Sequence, residues 1–441
     1  MALQKSVYET LILESNDQSR TVDISQGAVI FDYYEDIFSP TITAKLKIMN
    51  VGNTITPPKG SKDKQSIYNG LPLRGGERLV LKVAPNSSNV KSSLDFTTPE
   101  RYLYVSSITD VVVDTTRESF TLNLVSREAI TNETIRVVKK YPSDLRIDES
   151  VTSILEEYLV ANKINQVDKT SNPYGFIGNL RKPFTVLVWL ASKAVPDEKD
   201  SNAGFVFYQT KEGFNFRSLD GLITQEKKAT YQYILTGESF DGLEKIDKEF
   251  HILNYYVDRN QNLLEKLRLG AYASQRMFFN PVNFNVTSPQ EGQYSFSDYK
   301  NKVKTLGSKP KLPKVSDGSN QTLGDIPTRI FTQILDIGTT DQEVTKGLNS
   351  DPEKYQSQSL MRYNLLLTQA INIMVPCNLD LNAGDSIECL FPKTSESVDK
   401  QEYDPEISGL YIIKELCHHF DAENSYTSLK LIRDTFGRQN L

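Results

Sequence analysis

The sequence predicts a β-rich α+β chain, and three stretches of patterning carry that expectation. Through residues 1–140 apolar side chains alternate with polar ones, the period of strands with one wet face. Between 141 and 229 the spacing changes to that of an amphipathic helix and is followed by an aromatic hairpin, which reads as a mixed α/β unit. Strand patterning then returns over 230–290 and 356–436, broken by helices. With 441 residues and roughly 150 per domain, about three domains are expected.

The first unit is the clearest. Ile42, Ala44, Leu46 and Ile48 share one face of a strand, with Thr43, Lys45 and Lys47 on the other. Similar strands are expected over 8–14, 28–34, 77–83, 102–113 and 119–125, with turns at Pro57-Pro58 and Gly75-Gly76. Residues 57–70 are polar and rich in Lys, Ser and Gly, an exposed excursion. Short strands with turn signals and no intervening helix pattern argue for an antiparallel barrel or sandwich.

In the middle unit, Val151, Ile154, Leu155, Tyr158 and Leu159 fall on one side of a helix over 148–162. A second helix starts at Pro183, a favoured first-turn residue, and buries Leu187, Leu190, Ala191 and Ala194. Strands over 205–208 and 214–217 flank Lys211-Glu212-Gly213 as a hairpin. Further on, strands are expected over 230–258 with a break at Gly242, then a helix over 262–269 closed by Gly270. Residues 291–355 read as a polar arm or linker, with Lys302, Lys304, Lys309, Lys311 and Lys314 in its first part. A last helix is expected over 357–373, and β structure after Pro376.

Composition narrows the function. The 56 acidic and 50 basic residues give a formal charge of −6, so no global basic field draws the chain to nucleic acid or anionic lipid. The three cysteines, Cys377, Cys389 and Cys417, are the reverse of a disulfide framework and fit a reducing compartment. The N-terminus has no secretory pattern, and no stretch approaches the ~18 apolar residues of a membrane span. Tyrosine and phenylalanine, 22 and 20 against one tryptophan, favour half-buried strands and protein interfaces.

Catalytic constellations are weak throughout. The only histidines are His251, His418 and His419, none in a nucleophile-elbow setting, and the zincin, phosphate-loop and dinucleotide motifs do not occur. Cys417-His418-His419 with Asp421 and Glu423 is the densest group of ligand-type residues. On a strand, however, Cys417, His419 and Asp421 share one face and His418 takes the other, so the two imidazoles do not converge. No catalytic residue, cofactor or metal is expected; an ion held by Cys417, His419 and Asp421 is the alternative left open. Carboxylate pairs such as Glu156-Glu157 or Asp241/Glu244 are compatible with a glycosidase only if the fold brings them to the right separation. The lysine run lacks the interleaved aromatics that stack bases.

The C-terminal block carries a resemblance. Residues 375–387, Val-Pro-Cys-Asn-Leu-Asp-Leu-Asn-Ala-Gly-Asp-Ser-Ile, precede Ser408-Gly409-Leu410-Tyr411-Ile412-Ile413-Lys414-Glu415 and then residues 426–434, Tyr-Thr-Ser-Leu-Lys-Leu-Ile-Arg-Asp. This resembles the terminal barrel of the baseplate hub proteins of contractile-tailed, T-even-like phages, related to late-control proteins and the type VI secretion spike base. Residues 31–38 with 41–49 and Arg74-Gly75-Gly76-Glu77 are similar to the first barrel of such hubs, and 204–210 with 213–218 to the hairpin of their middle domain. Cys377 stands where that pattern has glycine.

The resemblance implies two similar antiparallel β-barrel domains, 1–140 and the discontinuous 230–290 with 356–436, around a mixed α/β middle domain at 141–229. It implies a structural hub: a homotrimeric adaptor joining a central spike to the tail tube and letting DNA pass. The implied partners are the tail spike protein, a tail tube or tube-initiator protein and baseplate wedge proteins. Neither sequence-specific nucleic-acid binding nor membrane insertion is implied, and the place is the virion tail baseplate, assembled in the host cytoplasm. A tail-associated glycan or peptidoglycan hydrolase, and a receptor-binding tail module, are the competing readings.

Overall fold

The computed structural model of the chain describes residues 6–51, 55, 64–87, 89–114, 117–161, 163–198, 202–234, 247–258, 262–281, 283–286, 288–308, 311–336, 352–393 and 403–437. Pro57-Pro58, Asn162, Asp241, Gly242, Glu244 and Lys309 therefore lie outside the described residues, as does most of the 57–70 excursion.

The first lobe contains β1 (Tyr8–Glu14), β2 (Thr21–Asp23), β3 (Ala28–Asp36), β4 (Thr43–Val51), α1 (Ile67–Gly70), β5 (Arg78–Val83), β6 (Leu94–Phe96), β7 (Leu103–Val113) and β8 (Arg117–Val125). All its strand pairs are antiparallel. Alternation does what the sequence promised: Leu46, Ile48, Leu81, Phe120, Leu122 and Leu124 are buried in one core, while Lys45 and Lys47 stay in water.

The middle region comprises α2 (Arg127–Thr134), β9 (Lys140–Tyr141), α3 (Ile147–Glu157), β10 (Ile164–Val167), β11 (Phe176–Ile177), α4 (Pro183–Ala191), β12 (Phe205–Thr210), β13 (Gly213–Ser218) and α5 (Leu219–Thr224). It has a core of its own, in which Val151, Ile154, Leu155, Leu187 and Leu190 meet the aromatic hairpin β12–β13. Phe207 and Phe214 stack across that hairpin at 5.7 Å, and Phe205 and Phe216 at 4.8 Å. Its turn needs Gly213, whose φ is +123° and where an added Cβ would lie 2.5 Å from the Lys163 carbonyl.

The last region holds β14 (Lys227–Gln232), β15 (Asn254–Asp258), α6 (Leu263–Leu269), β16 (Ala273–Phe279), α7 (Pro289–Gly292), β17 (Gln293–Ser295), α8 (Phe296–Lys302), β18 (Arg329–Ile334), α9 (Pro352–Leu366), β19 (Gln369–Pro376), β20 (Ser386–Leu390), β21 (Gly409–Asp421) and β22 (Ser425–Arg433). Within 291–355, β18 runs parallel to β16, Tyr299, Val303 and Leu306 are buried, and Lys304, Lys311 and Lys314 are exposed. No helix among the described residues is long and apolar enough to cross a membrane.

Two expectations need correction. The helix expected over 357–373 ends at Leu366, and β structure resumes at Gln369, before Pro376. From Ile371 to Val375 burial alternates with period two, and the β-branched Ile371, Ile373 and Val375 face the core opposite β22. Likewise, neither of the two similar barrels is seen to close among the described residues. Strands of both lobes belong to one fourteen-stranded sheet, ordered β15-β19-β22-β21-β3-β4-β8-β7-β5-β1-β2, with β14, β20 and β6 branching from it. The reason is length. β21 has 13 residues, but β20 covers only Gly409 to Ile412, so the edge over residues 415–421 is free and is taken by β3. In the last lobe, among the described residues, β14 and the chain entering β15 meet through the Gln232–His251 bridge rather than a ladder.

Leu429 and Leu431 are 1% and 0% exposed and face Leu416 and Ile413 on β21. An unpaired carboxylate there is costly, by several kcal/mol in the low-dielectric interior, a large part of a domain's ~5–15 kcal/mol. Leu429→Asp is expected to abolish soluble folded protein, whereas Lys430→Gln, on the wet face of the same strand, is expected to melt with the parent. An unchanged melting curve for Leu429→Asp contradicts the placement of this strand in the core.

Candidate functional site

The seam between β3 and β21 is the chemically richest place in the molecule, and its two faces differ. Antiparallel register sets Asp32 opposite His419, Tyr33 opposite His418, Tyr34 opposite Cys417 and Glu35 opposite Leu416. Alternation then sends Phe31, Tyr33 and Glu35 inward with Leu416, His418 and Phe420.

Glu35 is thus a carboxylate on a core face, 2% exposed. It accepts hydrogen bonds from the Tyr33 hydroxyl at 2.8 Å, the Lys211 backbone N–H at 2.6 Å and the Ala383 backbone N–H at 2.8 Å. Lys211 sits at the tip of the β12–β13 hairpin, and its Nζ donates to the Leu381 carbonyl at 2.9 Å and to Asn382 Oδ1 at 2.6 Å. Burial raises the Glu35 carboxyl, against the pull of Lys211 and the two backbone donors. Burial lowers the Lys211 ammonium, against the nearby Glu35 charge. The first lobe, the hairpin tip and the 378–385 turn therefore meet at one satisfied polar knot. The turn itself depends on Gly384: φ is +90°, and an added Cβ would lie 2.2 Å from the Tyr208 hydroxyl on β12. Cys377 is simply a buried residue before this turn, its thiol pushed up to about 12 by burial.

His418 lies beside the knot and is fully buried, its ring stacked on Tyr33 at 6.1 Å. Its Nδ1 is 2.9 Å from the Thr427 hydroxyl, and its Nε2 has no partner. Burial, with the positive Lys211 nearby, holds its pKa well below the ordinary value.

The wet face carries Cys417, His419 and Asp421, half-buried on one side of β21 as alternation requires. His419 Nδ1 lies 2.5 Å from Asp32 Oδ1, its Nε2 is 3.4 Å from Asp421, and its ring stacks on Tyr426 at 4.5 Å. Cys417 is drawn to Tyr34 rather than into that group, and burial pushes its thiol up to about 12. Asp421 also accepts from the Glu423 and Asn424 amides, closing the turn to β22. Among the described residues no group of three or more His, Cys, Asp or Glu is placed to hold a metal ion. Alongside, an open depression of about 620 Å³ is lined by Tyr34, Lys45, Asn372, Glu415, Cys417 and Lys430. His251 stands apart at the β14 bridge, and Glu157 is exposed, paired with Lys139 at 2.9 Å.

A second buried network ties the far side together. Arg362 on α9, 2% exposed, reaches Asp220 on α5 at 2.5 Å and the Tyr299 hydroxyl on α8 at 3.1 Å. Asp434, just after β22, accepts from Tyr299 at 3.1 Å and from the Leu306 N–H at 3.0 Å. Burial alone lowers the guanidinium, but Tyr299, Asp220 and Asp434 outweigh it and hold it above the ordinary arginine range.

No family model matches the chain, and no curated protein matches it in sequence. In structure it is similar over its whole length to the 43 kDa tail protein of prophage MuSo2 from Shewanella oneidensis: TM-score 0.52, 7% identity, 97% of this chain and 98% of that one covered. The chain has the fold of a prophage tail protein. Looser likenesses are a tail protein from Neisseria meningitidis, TM-score 0.48 at 9% identity over 96% of both chains, and prophage tail protein gp18 from Listeria monocytogenes. The latter has a TM-score of 0.44 at 9% identity over 96% of this chain and 94% of that one.

The site generates a pH prediction. His418 has a depressed folded pKa, so its contribution to stability is complete above the unfolded value of about 6.5 and is lost as pH falls below it. The loss amounts to at most ~1.4 kcal/mol per pH unit until the folded pKa is reached. His418→Phe keeps a ring against Tyr33 and removes the titration. Urea unfolding across mildly acid pH is expected to give the variant a slope about one proton shallower than the parent; parallel slopes count against a buried neutral imidazole.

Proposed function

We propose that the chain is the structural, non-enzymatic hub of a contractile phage tail baseplate. In this reading it is a homotrimeric adaptor between central spike and tail tube through which DNA passes. The observation that carries the proposal is the run β15-β19-β22-β21-β3-β4-β8-β7, whose outer face is wet around Asp32, Lys45, Lys47 and Asn372 and covered near Ile412 and Ile432, and which among the described residues is left unpaired at β15 and along the outer part of β7. At one end β7 is paired to β5 only at Leu103 and Tyr104, and its outer part displays Val112, 66% exposed, beside Met49 across Ser119. At the other end β15 pairs, among the described residues, only with β19 and displays Tyr256, 68% exposed. Two unlike open edges on one sheet suit a head-to-tail contact between copies, which closes into a ring when the rotation per copy allows.

The likeness to a prophage tail protein supports the same reading, and so does the charge of the wet face. Lys45, Lys47 and Lys430 alternate there with Asp32, Glu415 and Asp421, so such a ring would present DNA with no basic track to hold it. The segments 1–140, 141–229, 230–290 with 356–436, and 291–355 are then its working parts, with the tail spike, the tube or tube initiator and the baseplate wedges as partners. Its place is the tail baseplate of the virion, reached by assembly in the host cytoplasm.

Mass measurement at micromolar concentration tests this reading, together with one low-resolution particle image. Three copies of the 49.9 kDa chain in a three-fold ring are expected, with Val112→Asp combined with Tyr256→Lys shifting the mass to one copy. A strictly monomeric chain in the presence of spike and tube proteins overturns the proposal.

A further inference from the structure

We infer that the exposed edge of the small sheet β17-β16-β18 is a docking site for an extended acidic peptide strand, which adds to β18 as a fourth strand. β18 pairs with β16 alone, so the outward backbone N–H and C=O groups of residues 329–334 have no strand partner among the described residues. Such an edge invites another strand unless it is guarded by charge, proline or a bulge pointing into the gap. Here the guard is missing on one face. Ile330 and Ile334 are 58% and 71% exposed. Parallel register puts Ile334 beside Phe279, and Phe279 is bridged to Val286 and lies 6.0 Å from the Phe284 ring. With Thr332 between the two isoleucines, Ile330, Ile334, Phe279, Phe284 and Val286 expose apolar surface along this edge.

The opposite face of the same strand fixes the chemistry of the occupant. Arg276 and Arg329 both lie over the Phe331 ring, at 4.6 Å and 4.8 Å from its centroid, and Arg329 also reaches the Arg268 carbonyl at 3.5 Å. Among the described residues none of Arg268, Arg276 and Arg329 forms an ion pair, and Arg276 Nε is buried without a hydrogen-bond partner. Two guanidinium groups, those of Arg276 and Arg329, thus stand at an edge strand without an ion pair among the described residues, on a chain whose net charge is −6. An added strand presents alternate side chains to the two faces. Apolar residues on it would cover Ile330 and Ile334, and acidic residues between them would meet the arginines, while main-chain bonds supply the affinity.

The test uses the full chain and a fluorescent, capped peptide of alternating glutamate and isoleucine, followed by anisotropy. This peptide is expected to bind about tenfold or more tightly than its lysine-for-glutamate counterpart. Binding should weaken as salt is added, and disappear when alternate amides of the peptide are N-methylated. Ile330→Lys with Ile334→Lys, on the exposed row, should remove it without changing the melting temperature, and Arg329→Glu should reverse the preference between the two peptides. Equal binding of both peptides, or binding indifferent to the isoleucine substitutions, overturns the assignment. So does a particle mass that falls in the double lysine variant, since the edge would then be filled by a second copy.

Discussion

One antiparallel contact holds the architecture together: β3 laid against the second half of β21, joining residues 387 positions apart in the chain. Without it the two lobes would be separate sheets, each with an uncovered edge. The contact exists because β21 outruns β20, and it is made specific by what lies beneath it. Glu35 has three hydrogen-bond donors only when the hairpin tip at Lys211 and the turn at Ala383 are both in place. A slip of one residue in the β3–β21 register would put Glu35 into water and Tyr34 into the core, leaving those donors unmet.

Buried charge of this kind is a poor source of net stability but a good source of uniqueness. The Glu35 knot and the Arg362–Asp220–Asp434 network each join segments distant in sequence, and neither lies in the apolar core of a single lobe. Apolar packing makes one continuous core through the first and last lobes and a separate one in the middle region, and the polar knots fix how the hairpin, the turn and the helices are set against them. The orphan Nε2 of His418 shows how dry the seam is, since an unpartnered ring nitrogen is tolerated only where its neighbours are fixed by stronger constraints.

Local periodicity made most elements readable. The strand over 8–14, the helix start at Pro183, the hairpin around Gly213 and the capping Gly270 follow from the side chains within a few residues of each. The same alternation placed Cys417, His419 and Asp421 on one face of β21 and His418 on the other. The sheet order was not readable in this way, because pairing β3 to β21 depends on the relative lengths of strands hundreds of residues apart. The helix end near 366 was missed for a related reason: Leu367 and Ile371 fit a helical spacing, but β22 offered Ile371 a better-packed partner. The importance of Glu35 did have a signal, since alternation sets it on the face of Phe31 and Tyr33, where a carboxylate must find a partner. That partner, Lys211, lies in a turn where lysine is unremarkable.

The long reach of the β3–β21 pairing also bears on how the protein is made. At a synthesis rate of about 5–20 residues per second, β3 leaves the ribosome roughly 20–80 s before β21 does. For that time a nascent first lobe carries an unsatisfied strand edge. Its outward side chains at 32, 45 and 47 are charged, which keeps nascent neighbours on a polysome from zipping together there. The feature that unites the finished sheet is therefore, during translation, the place where timing matters most.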